Sequence, residues 1–154
     1  MLILSFVSLC LCAAPVAPQA TPAPDADPQQ AEVEEMIRRY FQTWSDQDIA
    51  GYGACFLPTA VVQFIDSQDQ LTSSALGSFL QSQREAHRRA RYRQTEVPET
   101  IDIRFEQKLA RVVVYWKLTA GPKTEYGYDH FTLLKVRGQW RIVNLVFYET
   151  KQGE

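Results

Sequence analysis

The stretch YDHFTLLKVRGQWRIVNLVFYET, residues 128–150, decides the fold. Two runs rich in β-branched and aromatic residues flank Arg137-Gly138, the pattern of strand, tight turn, strand. In the first run, alternation puts Asp129, Phe131 and Leu133 on one face. Tyr128, His130 and Thr132 take the other. In the second run, Trp140, Ile142 and Val146 alternate against Val143, Leu145 and Phe147. Periodicity leaves open which of those two sets meets the core.

Working outward, the preceding sequence continues the strands. Lys123 to Val136 follows a turn at Gly121-Pro122, Val112 to Leu118 is another β run, and Ile101, Ile103 and Phe105 alternate beyond Val97-Pro98. Earlier still the period lengthens to that of a helix. Val33, Ile37, Tyr40, Phe41 and Trp44 recur at helical spacing after Asp27-Pro28, a cap followed by a proline suited to the first turn. Asp48 can cap a short second helix through Phe56, which Pro58 ends. Thr59 to Ile65 reads as a strand. A third helix is expected to open at Thr72 or Ser73 and to end near Ala90, with Leu76, Phe79, Leu80 and Gln83 along one side. Helices first and a meander of strands afterwards give an α+β class. Three N-terminal helices are expected to pack on one face of a curved antiparallel sheet.

Composition bounds the rest. The 154 residues are one domain's worth, and a formal charge of −2 offers no field for nucleic acid. Leu2 to Ala14 is almost wholly apolar and small residues and prolines follow, as in a cleaved secretory signal peptide. It is too short for a membrane-spanning helix. The expected organisation is a signal over residues 1–20, a flexible linker over 21–31 and a folded domain over 32–150. That makes the protein secreted or periplasmic, with no stable membrane span after cleavage. Leu9 and Leu11 precede Cys10 and Cys12, where a lipoprotein signal needs a small residue, so lipidation is not expected. Cys55 alone then remains, and no internal disulfide can form. With His87 and His130 the only histidines, no zinc site is expected. No phosphate loop, dinucleotide fingerprint or nucleophile–base pattern is present, so no cofactor is implied.

Two stretches carry a family resemblance: RRYFQTWSDQDIAGYGACFLPTAVV, residues 38–62, and the 128–150 stretch. With the third helix between them, they resemble the nuclear-transport-factor-2-like superfamily, which includes SnoaL-like cyclases and ketosteroid isomerases, and this implies a cone-shaped sheet with the three helices on its concave face. The Asp129-His130-Phe131 triplet is similar to one on the matching isomerase strand. The resemblance implies that Tyr40 matches an oxyanion tyrosine and Asp129 its protonated aspartate partner. It also puts Phe64 where the isomerases carry their base aspartate. Gln63 and Phe64 cannot accept a proton at neutral pH, and Asp66 lies two residues on, about 7 Å along a strand. Members of the superfamily commonly pair through the open sheet face, which implies a homodimer through Tyr128 and His130.

These residues support three functions. The leading one is an exported small-molecule-binding domain, its largely apolar pocket lined by Tyr40, Trp44, Phe64, Phe79, Asp129, Phe131 and Phe147. The second is an isomerase, cyclase or dehydratase that uses Asp66 or His87 as a displaced base. The third is an association module whose pocket is filled by side chains. For Asp129 the pocket reading competes with an ion pair to Arg104 or Arg141. The five arginines of Arg84–Arg93 read either as an anion patch or as a solvated, dipole-favoured helix end.

Overall fold

The computed structural model describes residues 27–151. Residues 1–20, expected to be a signal, and most of the expected linker lie outside them. Helix α1 is Pro28–Ser45. Asp27 caps it by accepting the Gln29 N–H at 2.9 Å, and Pro28 fills the first turn, where a missing N–H costs nothing. Val33, Ile37, Tyr40, Phe41 and Trp44 are all buried, as the helical period requires. Asp48 caps the short α2, Ile49–Gly53, through the Gly51 N–H. That helix stops three residues before Phe56, where strand β1, Phe56–Ile65, begins.

The third helix starts later than the sequence suggests. Thr72 and Ser73 belong to strand β2, Leu71–Ala75, and α3 is Leu76–Arg89. Their hydroxyls favour a helix start locally, but pairing to β1 wins, with Phe64 opposite Thr72 and Gln63 opposite Ser73. Strands β3, Gln94–Glu106, β4, Leu109–Ala120, β5, Lys123–Val136, and β6, Gln139–Thr150, complete a six-stranded sheet in the order β2-β1-β6-β5-β4-β3. The α+β cone is thus as expected, with one difference in detail. The β1–β6 pairing is parallel, and the others are antiparallel. Arg137 and Gly138 both have positive φ, which a two-residue hairpin of matching twist needs.

One core fills the space between the helices and the inner face of the sheet. Ile37 and Phe41 from α1 meet Val112, Val114, Leu133, Ile142 and Leu145 there. Trp140, Ile142 and Leu145 are all buried, although strict alternation separates them. The β5–β6 register explains this. Leu133 pairs with Ile142 and Thr132 with Asn144, so Val143 is an extra residue that turns the strand over.

Candidate functional site

Where the inner core stops short of the cone mouth, α1, α2 and α3 face the sheet across a cavity of about 110 Å³. Asp129 on β5 lies at its polar end and is 3% exposed. The indole of Trp116 on β4 donates its Nε1–H to Asp129 Oδ1 at 2.9 Å. Trp116 pairs in register with Gly127, two residues before Asp129 on the same face. A Cβ at position 127 would sit 2.2 Å from Trp116 Cζ2 and 2.3 Å from the Tyr148 carbonyl oxygen. Glycine there lets the indole lie across the strand and reach the carboxyl.

From the helix side, the Tyr40 hydroxyl is the other hydrogen-bonding neighbour of Asp129. Tyr52 of α2 in turn donates to Tyr40 Oη at 2.8 Å. Trp44 donates its Nε1–H to Gln83 Oε1 at 2.9 Å, which ties α1 to α3 along the cavity wall. Phe79, Leu118 and Phe147 supply the apolar lining, and Glu96 and Glu149 complete the wall.

Burial pushes the Asp129 carboxyl up to about 7, against the partial relief given by the Tyr40 and Trp116 donors. Burial also lifts the Glu96 carboxyl well above the usual range, and the neighbouring Asp129 charge lifts it further. Tyr40 and Tyr52 are held neutral by burial. Near neutral pH the cavity can therefore both donate and accept through its carboxyls.

Tyr40, Trp44, Phe79, Asp129 and Phe147 all line this cavity. Phe131 lies beneath it, 2% exposed and edge-on to Tyr40 with centroids 5.0 Å apart. Phe64 stacks on Phe147 at 5.0 Å and lines an adjoining groove that shares Phe79, Gln83 and Phe147. Asp66 is elsewhere, in the β1–β2 turn, where its Oδ1 accepts the N–H groups of Gln68 and Gln70. His87 packs on Trp44 at 4.5 Å, behind the cavity wall, and neither ring nitrogen has a hydrogen-bond partner among the described residues. Burial lowers its pKa. The competing ion pair of Asp129 with Arg104 or Arg141 does not form. Arg104 pairs with Asp102 at 3.4 Å, and Arg141 donates to Gln139 and to the Trp140 carbonyl.

The basic segment is a solvated helix end, with Arg89 on Glu85 at 3.0 Å and Arg93 on Asp46 at 2.9 Å. A wider groove, about 410 Å³, crosses the outer sheet face at Arg104, Arg111, His130 and Thr132. Its arginines are already paired with Asp102 and Glu106, so the inner cavity is the stronger site. No cluster of metal-ligating side chains occurs among the described residues, and no helix there is long and apolar enough to cross a membrane.

Residues 28–148 match the family model described as "Putative lumazine-binding". The chain belongs to this family. No curated protein matches the sequence. Among solved structures, an NTF2-like protein of unknown function from Pseudomonas putida is 15% identical with a TM-score of 0.68, over 82% of this chain and 89% of that one. A protein of unknown function from Mycobacterium tuberculosis is 18% identical with a TM-score of 0.67, over 81% and 73%. One titled "Putative Scytalone Dehydratase", from Novosphingobium aromaticivorans, is 18% identical with a TM-score of 0.65, over 80% and 85%. At these identities the likeness shows a shared NTF2-like fold.

In this lumazine-binding-like chain, sequence reading missed Glu96, Trp116 and Tyr52. Glu96 was hidden by a bulge. Pro98 pairs with Trp116 and Thr100 with Tyr115, which leaves Glu99 extra. Alternation carried back from Ile103 and Ile101 puts Val97 inward and Glu96 outward. The bulge reverses this, and Val97 is 42% exposed. The signal for Trp116 was present as Gly127, since an isolated glycine inside a strand marks a close approach.

Proposed function

We propose that this domain binds a small, mostly apolar ring compound in the inner cavity, with Asp129, Tyr40 and Trp116 as the polar end. The observation that carries this reading is a buried carboxyl, fixed by an indole and a phenol, that opens on a cavity walled by aromatic rings. A purely structural aspartate would be better replaced by an apolar residue, because burying a carboxyl has a cost that packing alone does not return. The family description, which names lumazine binding, agrees with a flat ligand. Proton transfer through Asp66 or His87 draws no support from their positions, in the β1–β2 turn and against Trp44.

Trp44 and Trp116 line the cavity and Trp140 does not, which supplies an internal control. On titration with small aromatic compounds, the indole N–H resonances of Trp44 and Trp116 move and that of Trp140 stays. Equal movement of all three, or of Trp140 alone, counts against the site.

We further infer that the protein is exported with a cleaved signal, giving a mature N-terminus between Ala14 and Thr21; N-terminal sequencing that finds Met1 intact contradicts this. We also infer that it pairs through the outer sheet face. Tyr115, Tyr126, Tyr128, His130 and Tyr148 stack there in one half-buried cluster, and His130 Nε2 lies 3.4 Å from Tyr148 Oη.

A further inference from the structure

The inner cavity is charged on one side only. Asp129 on β5 and Glu96 on β3 both open on it, and Glu149 on β6 stands exposed at its mouth. From the helices it is faced by Tyr40 and Trp44 of α1, Tyr52 of α2 and Gln83 of α3, and from β4 by Trp116. His87, one turn beyond Gln83, is behind Trp44 and is held neutral by burial. No lysine, arginine or histidine is among the lining residues. The Asp129 carboxyl is held by Trp116 and Tyr40. No side-chain donor reaches the Glu96 carboxyl among the described residues, and its main chain is anchored by Ser45 Oγ, which accepts the Glu96 N–H at 2.9 Å and donates to its carbonyl at 3.0 Å. Trp44, Trp116, Phe79 and Phe147 line the same cavity as the two carboxyls.

A buried carboxyl and a half-buried one share this aromatic-lined cavity with no cationic side chain among its lining residues, which favours a positively charged ligand. A protonated amine suits both carboxyls and rings: its N–H groups satisfy the carboxylates, and the ring quadrupoles attract the charge. Resting on the small-molecule reading of this cavity, we propose that Glu96 and Asp129 together select an organic cation, a small amine carried on a ring or branched apolar group. The cavity, about 110 Å³, is smaller than the roughly 150 Å³ that encloses benzene, so such a ring extends from it into the adjoining groove along Phe79 and Phe147. Near neutral pH the empty pair retains a proton, because two such carboxylates in one site do not both ionise readily. Binding of the cation releases that proton, so affinity rises with pH until both acids are ionised.

Benzylamine, charged through neutral pH, and benzyl alcohol, its neutral isostere, separate the possibilities by calorimetry and by the Trp116 indole resonance. At pH 8 the amine binds about 10-fold or more tighter than the alcohol, a difference of about 1.4 kcal/mol. The preference shrinks at pH 5.5, and amine binding at neutral pH releases protons to buffer. Glu96→Gln lowers amine affinity by about 10-fold, and combining it with Asp129→Asn removes the preference for charge. An alcohol that binds as tightly as the amine, or an amine whose affinity ignores pH, overturns the cation proposal while leaving the cavity a ligand site. Silence of the Trp44 and Trp116 resonances with both compounds overturns the proposal and counts against the site itself.

Discussion

Asp129 is the residue on which the account turns, and its titration gives the sharpest test at this scale. Its folded pKa is raised above the ~3.9 of an unfolded aspartate. The native state therefore binds the proton more tightly than the unfolded chain does. Asp129's contribution is fully present below the unfolded pKa and is lost as pH rises through the folded value, near 7. Asp129→Asn keeps the shape, still accepts from Trp116 and does not titrate. It is expected to stabilise the protein at pH 8 by about 1–3 kcal/mol and to leave it little changed at pH 4. Thermal melts from pH 4 to pH 8 measure this. A variant less stable at pH 8 but unchanged at pH 4 would mean an ion pair at Asp129, with its cation stranded by the substitution.

At the scale of elements, single extra residues decide which side chains meet. The bulge at Glu99 brings Glu96 inward, and the one at Val143 puts Trp140 and Ile142 on the same side as Leu145. Helix α1 and the β5 face were legible because unbroken periodicity names their buried side directly. Glu96 and the inner face of β6 were not, because strand alternation carries no mark where a bulge resets it. Thr72 and Ser73 misled for a related reason: a hydroxyl that favours a helix start locally yields to strand pairing with β1. Gly127 is the element-scale prediction. Gly127→Ala forces the Trp116 ring or the β6 backbone to move, at a cost of about 1–3 kcal/mol. Denaturant unfolding checks the cost, and a changed Trp116 indole resonance shows that the donor to Asp129 has been displaced. An unchanged melt and resonance would mean that the indole is not seated across that strand.

For the whole molecule, the sequence made the cone legible through the order of its elements, and the site only in part. Tyr40, Trp44, Phe79 and Asp129 were within reach, since each lies on an element whose period is regular, whereas the side that Phe147 takes on β6 was left open by alternation. Partners such as Trp116 depend on cross-strand register, which a single sequence does not display. The outer face belongs to this scale as well. A half-buried cluster of four tyrosines and a histidine, on a sheet face that no helix covers among the described residues, suits an isologous contact. Light scattering at micromolar concentration is expected to give about twice the chain mass, and Tyr128→Arg to shift it toward the monomer. A wild-type monomer across that range contradicts the pairing.

The central claim is that the inner cavity holds a small molecule. Native mass spectrometry of the protein purified from the cells that make it tests this most directly, run beside Leu118→Trp, which fills the cavity from β4. The wild type is expected to carry a small-molecule adduct which is released on denaturation, and the filled variant to carry none. A bare wild type, or an adduct carried equally by both, would contradict it.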